Sequence, residues 1–184
     1  MLGQIKEIEA LLEACPSIRC VGVNGLDCAG KTTFADALYS SLSVVGLRAK
    51  LIHVDDYNNQ PVQAEIYAAY EAGKFTPALF EKYYTSSVNY GALKEVVCRE
   101  LQADSVIIIV EGVFLYKPSL VDLFDLKVFL PVDPAVAKMR YQERKIQIGD
   151  TRPVSVFEHI WQPAFERYSA ECQPHEIADK VFSI

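Results

Sequence analysis

The chain lacks the features that mark zinc modules, disulfide scaffolds, membrane spans and nucleic-acid binders. Its five cysteines, at positions 15, 20, 28, 98 and 172, form no Cys-x-x-Cys pair. His53, His159 and His175 stand at no metal-ligand spacing and read as structural. Reduced thiols in a cytoplasmic protein are the expectation. Positive charge is in deficit: 18 Lys and Arg against 24 Asp and Glu give a formal net charge of −6. Duplex binders carry a basic footprint, so no nucleic-acid partner is expected. The longest aliphatic run is Val106–Val110. A membrane span needs roughly 18–20 apolar residues, so no membrane partner is expected either. Glu7, Glu9 and Glu13 make the N-terminal stretch an amphipathic helix within residues 1–18 and argue against a signal peptide. No repeat, low-complexity tract or linker divides residues 1–184, and a hydrophobic content of 51% supports one domain with a core.

What is present is an alternation of strand and helix signals. Arg19–Asn24 reads as a strand, Phe34–Val45 as a helix closed by Gly46, and Ala49–Val54 as a second strand. Asn58, Asn59 and Pro61 mark a loop. Residues 62–103 read as helices broken between Gly73 and Pro77 and again at Gly91. Ser105–Val110 has the β-branched, apolar character of a central parallel strand. Leu126–Leu130 is a fourth strand, Pro134–Ile148 a cation-rich helix, and Val154–Cys172 a helix that Pro163 must kink or split. Ala178–Ile184 closes the chain as a fifth strand. The pattern predicts an α/β fold, a doubly wound parallel five-stranded sheet, with residues 134–153 as a helical lid.

One motif is complete. Gly25-x-x-x-x-Gly30-Lys31-Thr32 is the Walker A pattern, or P-loop, and it follows a strand and opens a helix. Glycines there allow positive φ and turn successive amides toward phosphate oxygens, and the helix dipole adds to the attraction. Gly25, Asp27, Cys28, Ala29, Gly30, Lys31, Thr32 and Thr33 are therefore the candidate nucleotide-binding residues, with ATP and Mg²⁺ as the expected ligands. Lys31 would neutralise β/γ oxygens and Thr32 would ligate Mg²⁺. Asp27 would face the acceptor side. Cys28 lies beside a helix N-terminus, a position that can lower a thiol pKa.

Carboxylates at strand ends supply the rest of the expected chemistry, because ligands of doubly wound sheets bind beyond the carboxyl ends of the strands. Asp55 is the candidate base for an acceptor hydroxyl and a candidate metal ligand. Asp56 reads as a turn residue. Glu111 is the Walker-B-like metal candidate. Arg140 and Arg144, spaced i, i+4, share a helix face suited to a transferring phosphoryl group, and Arg152 after them is a further candidate nucleotide-binding residue. Tyr57, Tyr83, Tyr84, Asn89 and Tyr90 are candidate acceptor contacts. Trp161 reads as packing.

Four stretches together resemble the uridine kinase family of P-loop nucleoside kinases, which sits near nicotinamide riboside kinases and phosphoribulokinases. They are GLDCAGKTT, HVDDY, VEGVFLYKPSL and WQPAFERY…IADKVF, spanning residues 19 to 184. The resemblance implies transfer of the ATP γ-phosphate to a hydroxyl of a nucleoside or similar small alcohol. It implies Asp55 as base, Glu111 as the carboxylate of the Glu-Gly motif, and Arg140 and Arg144 in the lid. Asn89-Tyr90 departs from the family's Asp-Tyr pair, and the insertion that frames the base is missing between Leu101 and Val106. Two alternatives stand beside this reading: a nucleoside monophosphate kinase, since Asp27 sits where thymidylate kinases place a loop Asp, and a non-catalytic ATP-binding protein. A GTPase is excluded by the lack of an Asn-Lys-x-Asp motif, and an ABC-type ATPase by the lack of its Ser-Gly-Gly signature. Whether the chain forms a homo-oligomer is open.

Overall fold

A computed structural model describes residues 1–102 and 106–183. Helix α1 (Leu2–Ala14) leads into strand β1 (Cys20–Asn24), the P-loop and helix α2 (Lys31–Val44). Gly46 ends α2 at φ +81°; its amide donates to Ser43 O and the next amide, Leu47, to Leu42 O. That double capping needs a left-handed residue, which glycine adopts without steric cost.

Strand β2 (Ala49–His53) runs into a 3₁₀ turn, Val54–Tyr57, that carries Asp55 and Asp56. Helices α3 (Gln60–Glu71), α4 (Pro77–Ser86) and α5 (Tyr90–Leu101) follow. Two expectations change here. Pro61 is not in a loop but in the first turn of α3, where a missing N–H costs nothing. The break between α4 and α5 falls before Tyr90, not at Gly91. Asn89 caps α5, its Oδ1 accepting from Ala92 N at 3.1 Å. The same turn is pinned by an antiparallel bridge between Asn58 and Val88.

Strand β3 (Ile107–Gly112) is buried along its whole length and includes Glu111 inside it rather than after it. The expected strand residue Ser105, and most of the Leu101–Val106 connection where the insertion is missing, lie outside the described residues. Strand β4 (Leu126–Phe129) and helix α6 (Pro134–Ile148) follow, α6 ending at Gly149 with φ +67°. Pro163 neither breaks nor splits the next helix. A π-helical turn, Phe157–Trp161, runs straight into helix α7 (Gln162–Cys172). Such a turn relaxes the i→i−4 ladder at the residues where the proline ring would clash and its N–H is missing. A short helix α8 (Pro174–Ile177) precedes β5, which spans only Lys180–Val181.

All strand pairings are parallel, in the order β2-β3-β1-β4-β5. Alternation along β3 sorts the core. Ile107 and Ile109 pack with α1 and α2 through Ile8, Phe34 and Leu38, whereas Ile108 and Val110 face the cluster of Ile66, Tyr83, Leu93 and Ala137 on the helices of the opposite side. Both faces are thus covered, which is why the central strands read as continuous apolar runs. The carboxyl ends of β1, β2 and β3 are left converging beneath α6.

Candidate active site

The P-loop leaves β1 at Asn24 and enters α2 at Lys31. Its two glycines act differently. Gly30 adopts φ +90° just before the helix. Gly25 has no positive φ; a Cβ there would stand 2.6 Å from the Leu130 carbonyl, so only a residue without one permits β1 and the end of β4 to pack so closely. Cys28 takes the left-handed conformation at φ +60°.

A cleft of about 680 Å³ opens over this loop, lined by Asp27, Cys28, Gly30, Lys31, Thr32, Thr33, Asp55, Glu111, Arg140 and Arg144. Gly25 and Ala29 are not part of the lining. Gly25 backs onto Leu130, and the Ala29 methyl is buried in the core with α2 while its amide donates to Leu26 O. Lys31 is only 8% exposed, its ammonium donating to Leu26 O at 2.9 Å. Thr32 Oγ1 donates to Glu111 Oε1 at 3.2 Å. A hydroxyl and a buried carboxylate meeting at a phosphate loop form the hard oxygen set that suits Mg²⁺, which takes few protein ligands and keeps several waters. Among the described residues, no group of three or more His, Cys, Asp or Glu side chains converges as a metal cage.

His53 was read as structural, yet its Nδ1 lies 2.7 Å from the same Glu111 oxygen. Burial pulls the imidazolium down, but the Glu111 hydrogen bond and charge outweigh it, and the net shift is upward. The pairing follows from sheet register, since His53 sits directly opposite Glu111 across β2 and β3. Register is a tertiary fact, and adjacency to the Asp-Asp-Tyr turn was the only hint in the chain.

Arg140 and Arg144 enter the cleft from α6. Arg140 Nη1 donates to Cys28 O at 3.2 Å, and Arg144 lines the cleft together with Cys28, its charge favouring the thiolate. The Cys28 thiol is nevertheless pushed up, by burial first and then by the Asp27 charge, with Arg144 and Lys31 opposing. The lowering that a helix N-terminus can give is not what prevails at Cys28, where burial dominates. Asp27 is pushed up as well, by burial, while Lys31 pulls it back and Asp55 pushes it further.

A second, smaller pocket of about 130 Å³ adjoins the cleft and shares Asp27, Cys28, Asp55, Val113 and Arg144 with it. Its far walls are Tyr67, Tyr83, Tyr141 and Trp161, with Asn58, Gln63 and Ser87 at one side. Arg152 is here and not in the phosphate cleft. It makes a two-pronged contact with Asp150, at 3.0 Å (Nε–Oδ1) and 2.6 Å (Nη2–Oδ2). Its guanidinium lies 4.8 Å from the Trp161 ring centroid and 5.1 Å from that of Tyr67. That pairing, led by the Arg152 hydrogen bond, holds the Asp150 carboxyl at about 2.

Of the five proposed acceptor residues, only Tyr83 reaches this pocket. Tyr57 packs against the core. Asn89 is occupied as a helix cap. Tyr84 and Tyr90 face a separate surface hollow on the α7 side, where the Lys117 ammonium lies 3.7 Å from the Tyr84 ring centroid. The tyrosines share a stretch of sequence but not a face: Tyr84 follows Tyr83 on α4 about 100° further round the helix, and Tyr90 lies beyond the α4–α5 break. Tyr67, Trp161 and Asp150 were missed. Tyr67 belongs to a helix read only as one piece of the helical stretch 62–103, and Trp161 reads as packing although it lines the pocket from the π turn.

The chain matches no protein-family model and no curated protein sequence. Solved structures do resemble it. A possible uridine kinase from Bacillus stearothermophilus is 22% identical, with 96% of this chain and 97% of that chain covered, at a TM-score of 0.65. The shikimate kinase of Bacteroides thetaiotaomicron is 18% identical, with 90% and 86% covered, at a TM-score of 0.51. At these identities what is shared is the fold, an all-parallel five-stranded α/β sheet flanked by helices.

Proposed function

We propose that this protein is an ATP-dependent small-molecule kinase that transfers the γ-phosphate to an alcohol. The observation that carries the reading is the junction of two pockets. The phosphate-loop cleft and the smaller pocket meet at Asp27, Asp55 and Arg144, so a donor in one and an acceptor in the other would face each other across a carboxylate and a guanidinium.

In this reading Asp55, exposed at the junction, accepts the proton of the acceptor hydroxyl or orients it for in-line attack. Lys31 holds the donor phosphates. Arg140 and Arg144 stand where charge spreads over the transferring group. Thr32 and Glu111 would hold Mg²⁺, with His53 keeping the Glu111 carboxylate in place. The metal, when bound, supplies further neutralisation of phosphate charge. Placement of the donor is almost all the protein must contribute, since phosphoryl transfer needs positioning and charge more than covalent chemistry.

A nucleoside monophosphate kinase would need cations on the acceptor side. Lys82 pairs with Glu65 at 2.6 Å, and the Arg152 charge is already matched by Asp150, which weighs against that alternative. A non-catalytic ATP-binding protein is separated by mutation. Asp55→Asn should lower turnover by about 10²–10⁴-fold while MgATP affinity, measured by calorimetry, is unchanged. Unaltered turnover would remove Asp55 from the mechanism. Lys31→Ala should abolish tight MgATP binding, and retained binding would overturn the assignment of the donor site.

A further inference from the structure

We infer that the acceptor is an uncharged alcohol built on a single ring, and that the Asp150–Arg152 pair is what rejects anionic acceptors. The inference rests on the kinase reading above and goes further, to the substrate class.

Size is the first argument. The acceptor pocket offers about 130 Å³. An engineered protein cavity of about 150 Å³ takes one benzene ring. A pentose, hexose, cyclitol or hydroxymethyl-bearing heteroaromatic ring is of that size, whereas a nucleoside brings two ring systems. Nor are the walls free to retreat independently. Trp161 Nε1 donates to Tyr67 Oη at 3.1 Å, tying α3 to the turn before α7. The Trp161 ring also packs edge-on against Tyr141 of α6, with centroids 4.8 Å apart.

Charge is the second argument. Arg152 is the cation at the far wall, and its charge is matched by Asp150. Its Nε and Nη2 donate to Asp150, its backbone N–H donates to the same carboxylate at 3.0 Å, and its ring-facing side is covered by Tyr67 and Trp161. Asp150 accepts in addition from Tyr141 Oη at 3.1 Å. The remaining cation, Arg144, stands at the junction with the phosphate cleft, where the donor lies. A phosphate or carboxylate on the acceptor would therefore lose water beside Asp27, Asp55 and Asp150 and gain no unmatched positive charge. Desolvation of an anion without a partner is costly enough to exclude it. Hydroxyls suffer no such cost, since the Asn58 and Gln63 amides and the Ser87 side chain offer neutral donors and acceptors.

The test uses three panels with MgATP: neutral single-ring alcohols, nucleosides, and single-ring alcohols bearing a phosphate or carboxylate. Phosphorylated product is read by ³¹P NMR and direct binding by ligand-observed NMR. The expected result is kcat/KM for the best neutral single-ring alcohol at least about tenfold above that of any nucleoside or anionic compound. Nucleosides or anionic acceptors doing as well or better would overturn the inference. So would the failure of every neutral single-ring alcohol to bind. Binding of such alcohols without phosphorylated product would instead overturn the kinase reading and leave the pocket assignment standing. Two variants separate the arguments. Tyr67→Ala should raise nucleoside use relative to single-ring alcohols, and Asp150→Ala, by unpairing Arg152, should raise use of anionic acceptors relative to neutral ones. An unchanged ratio in either variant refutes the corresponding argument.

Discussion

Single residues set the position of Asp55 through contacts that carry no reactive groups. Gly112 ends β3 directly beneath the turn that bears the candidate base. A Cβ there would lie 2.4 Å from Val54 Cβ, closer than any real contact, and Val54 is wholly buried. The strain must move either β3 or the 3₁₀ turn that begins at Val54 and continues into Asp55. Gly112→Ala is therefore expected to cost about 1–3 kcal/mol in urea unfolding and to lower turnover along with it. Gly46→Ala is the contrast: φ is positive there but no atom lies within 4 Å. Its cost should be about 1–2 kcal/mol, the strain of an L-residue held left-handed, with turnover unchanged. Equal effects of the two substitutions on turnover would show that Val54 does not press on Gly112. Glu111 was legible as a site candidate from its place after an aliphatic run. His53 was not, because its role depends on lying opposite Glu111 in the neighbouring strand.

At the scale of elements, α6 and the loop after it form one cover over both pockets. The helix was readable in full, Pro134–Ile148, from its N-terminal proline, its C-terminal Gly149 and its cation spacing. What the loop does was not readable. Residues 149–153 fold back so that Arg152 grips Asp150 and lies on the rings of α3 and the π turn. The grip has a pH signature. Hydrogen bonding from Arg152 lowers the Asp150 carboxyl from an ordinary 3.8 to about 2. A depressed acid stabilises the fold when ionised, so the contribution is complete above about pH 4 and is lost as pH falls toward 2. It amounts to something on the order of 2 kcal/mol. Thermal unfolding of the wild-type chain should thus lose stability relative to Asp150→Asn across that window, and parallel curves would show that the pair does not stabilise the fold. Pro163 makes the same point about context. Its position forbids a regular helix hydrogen bond, but only the packed structure shows that a π turn, and not a break, absorbs the defect.

Over the whole molecule, the order β2-β3-β1-β4-β5 places the ends of β1, β2 and β3 side by side. This brings the phosphate loop, the Asp55 turn and Glu111 into one cleft although they are spread over more than eighty positions. The one tryptophan of the chain lines the smaller pocket, the proposed acceptor site, and is 8% exposed. Trp161 fluorescence should accordingly shift on adding an acceptor and change little with a non-hydrolysable ATP analogue alone. A response to the analogue as large as that to the acceptor would mean that nucleotide binding reshapes the far pocket.

The phosphate-loop part of the candidate site could be read along the chain as a pattern. Its chemistry depends on backbone amides, a lysine and a threonine at fixed spacing between a strand and a helix, which are local relations written in consecutive residues. The sheet, too, was legible, because strands buried on both faces leave unbroken aliphatic runs. The smaller pocket, the proposed acceptor site, depends on which faces of α3, α6 and the π turn meet, and neither periodicity nor composition specifies that. Tyr84 and Tyr90 have the residue type of an acceptor wall and face elsewhere, while Tyr67, Trp161 and Asp150, from three distant segments, close the pocket. Only packing assembled them, since side-chain direction across helix contacts is decided by the tertiary core and not by the order of residues.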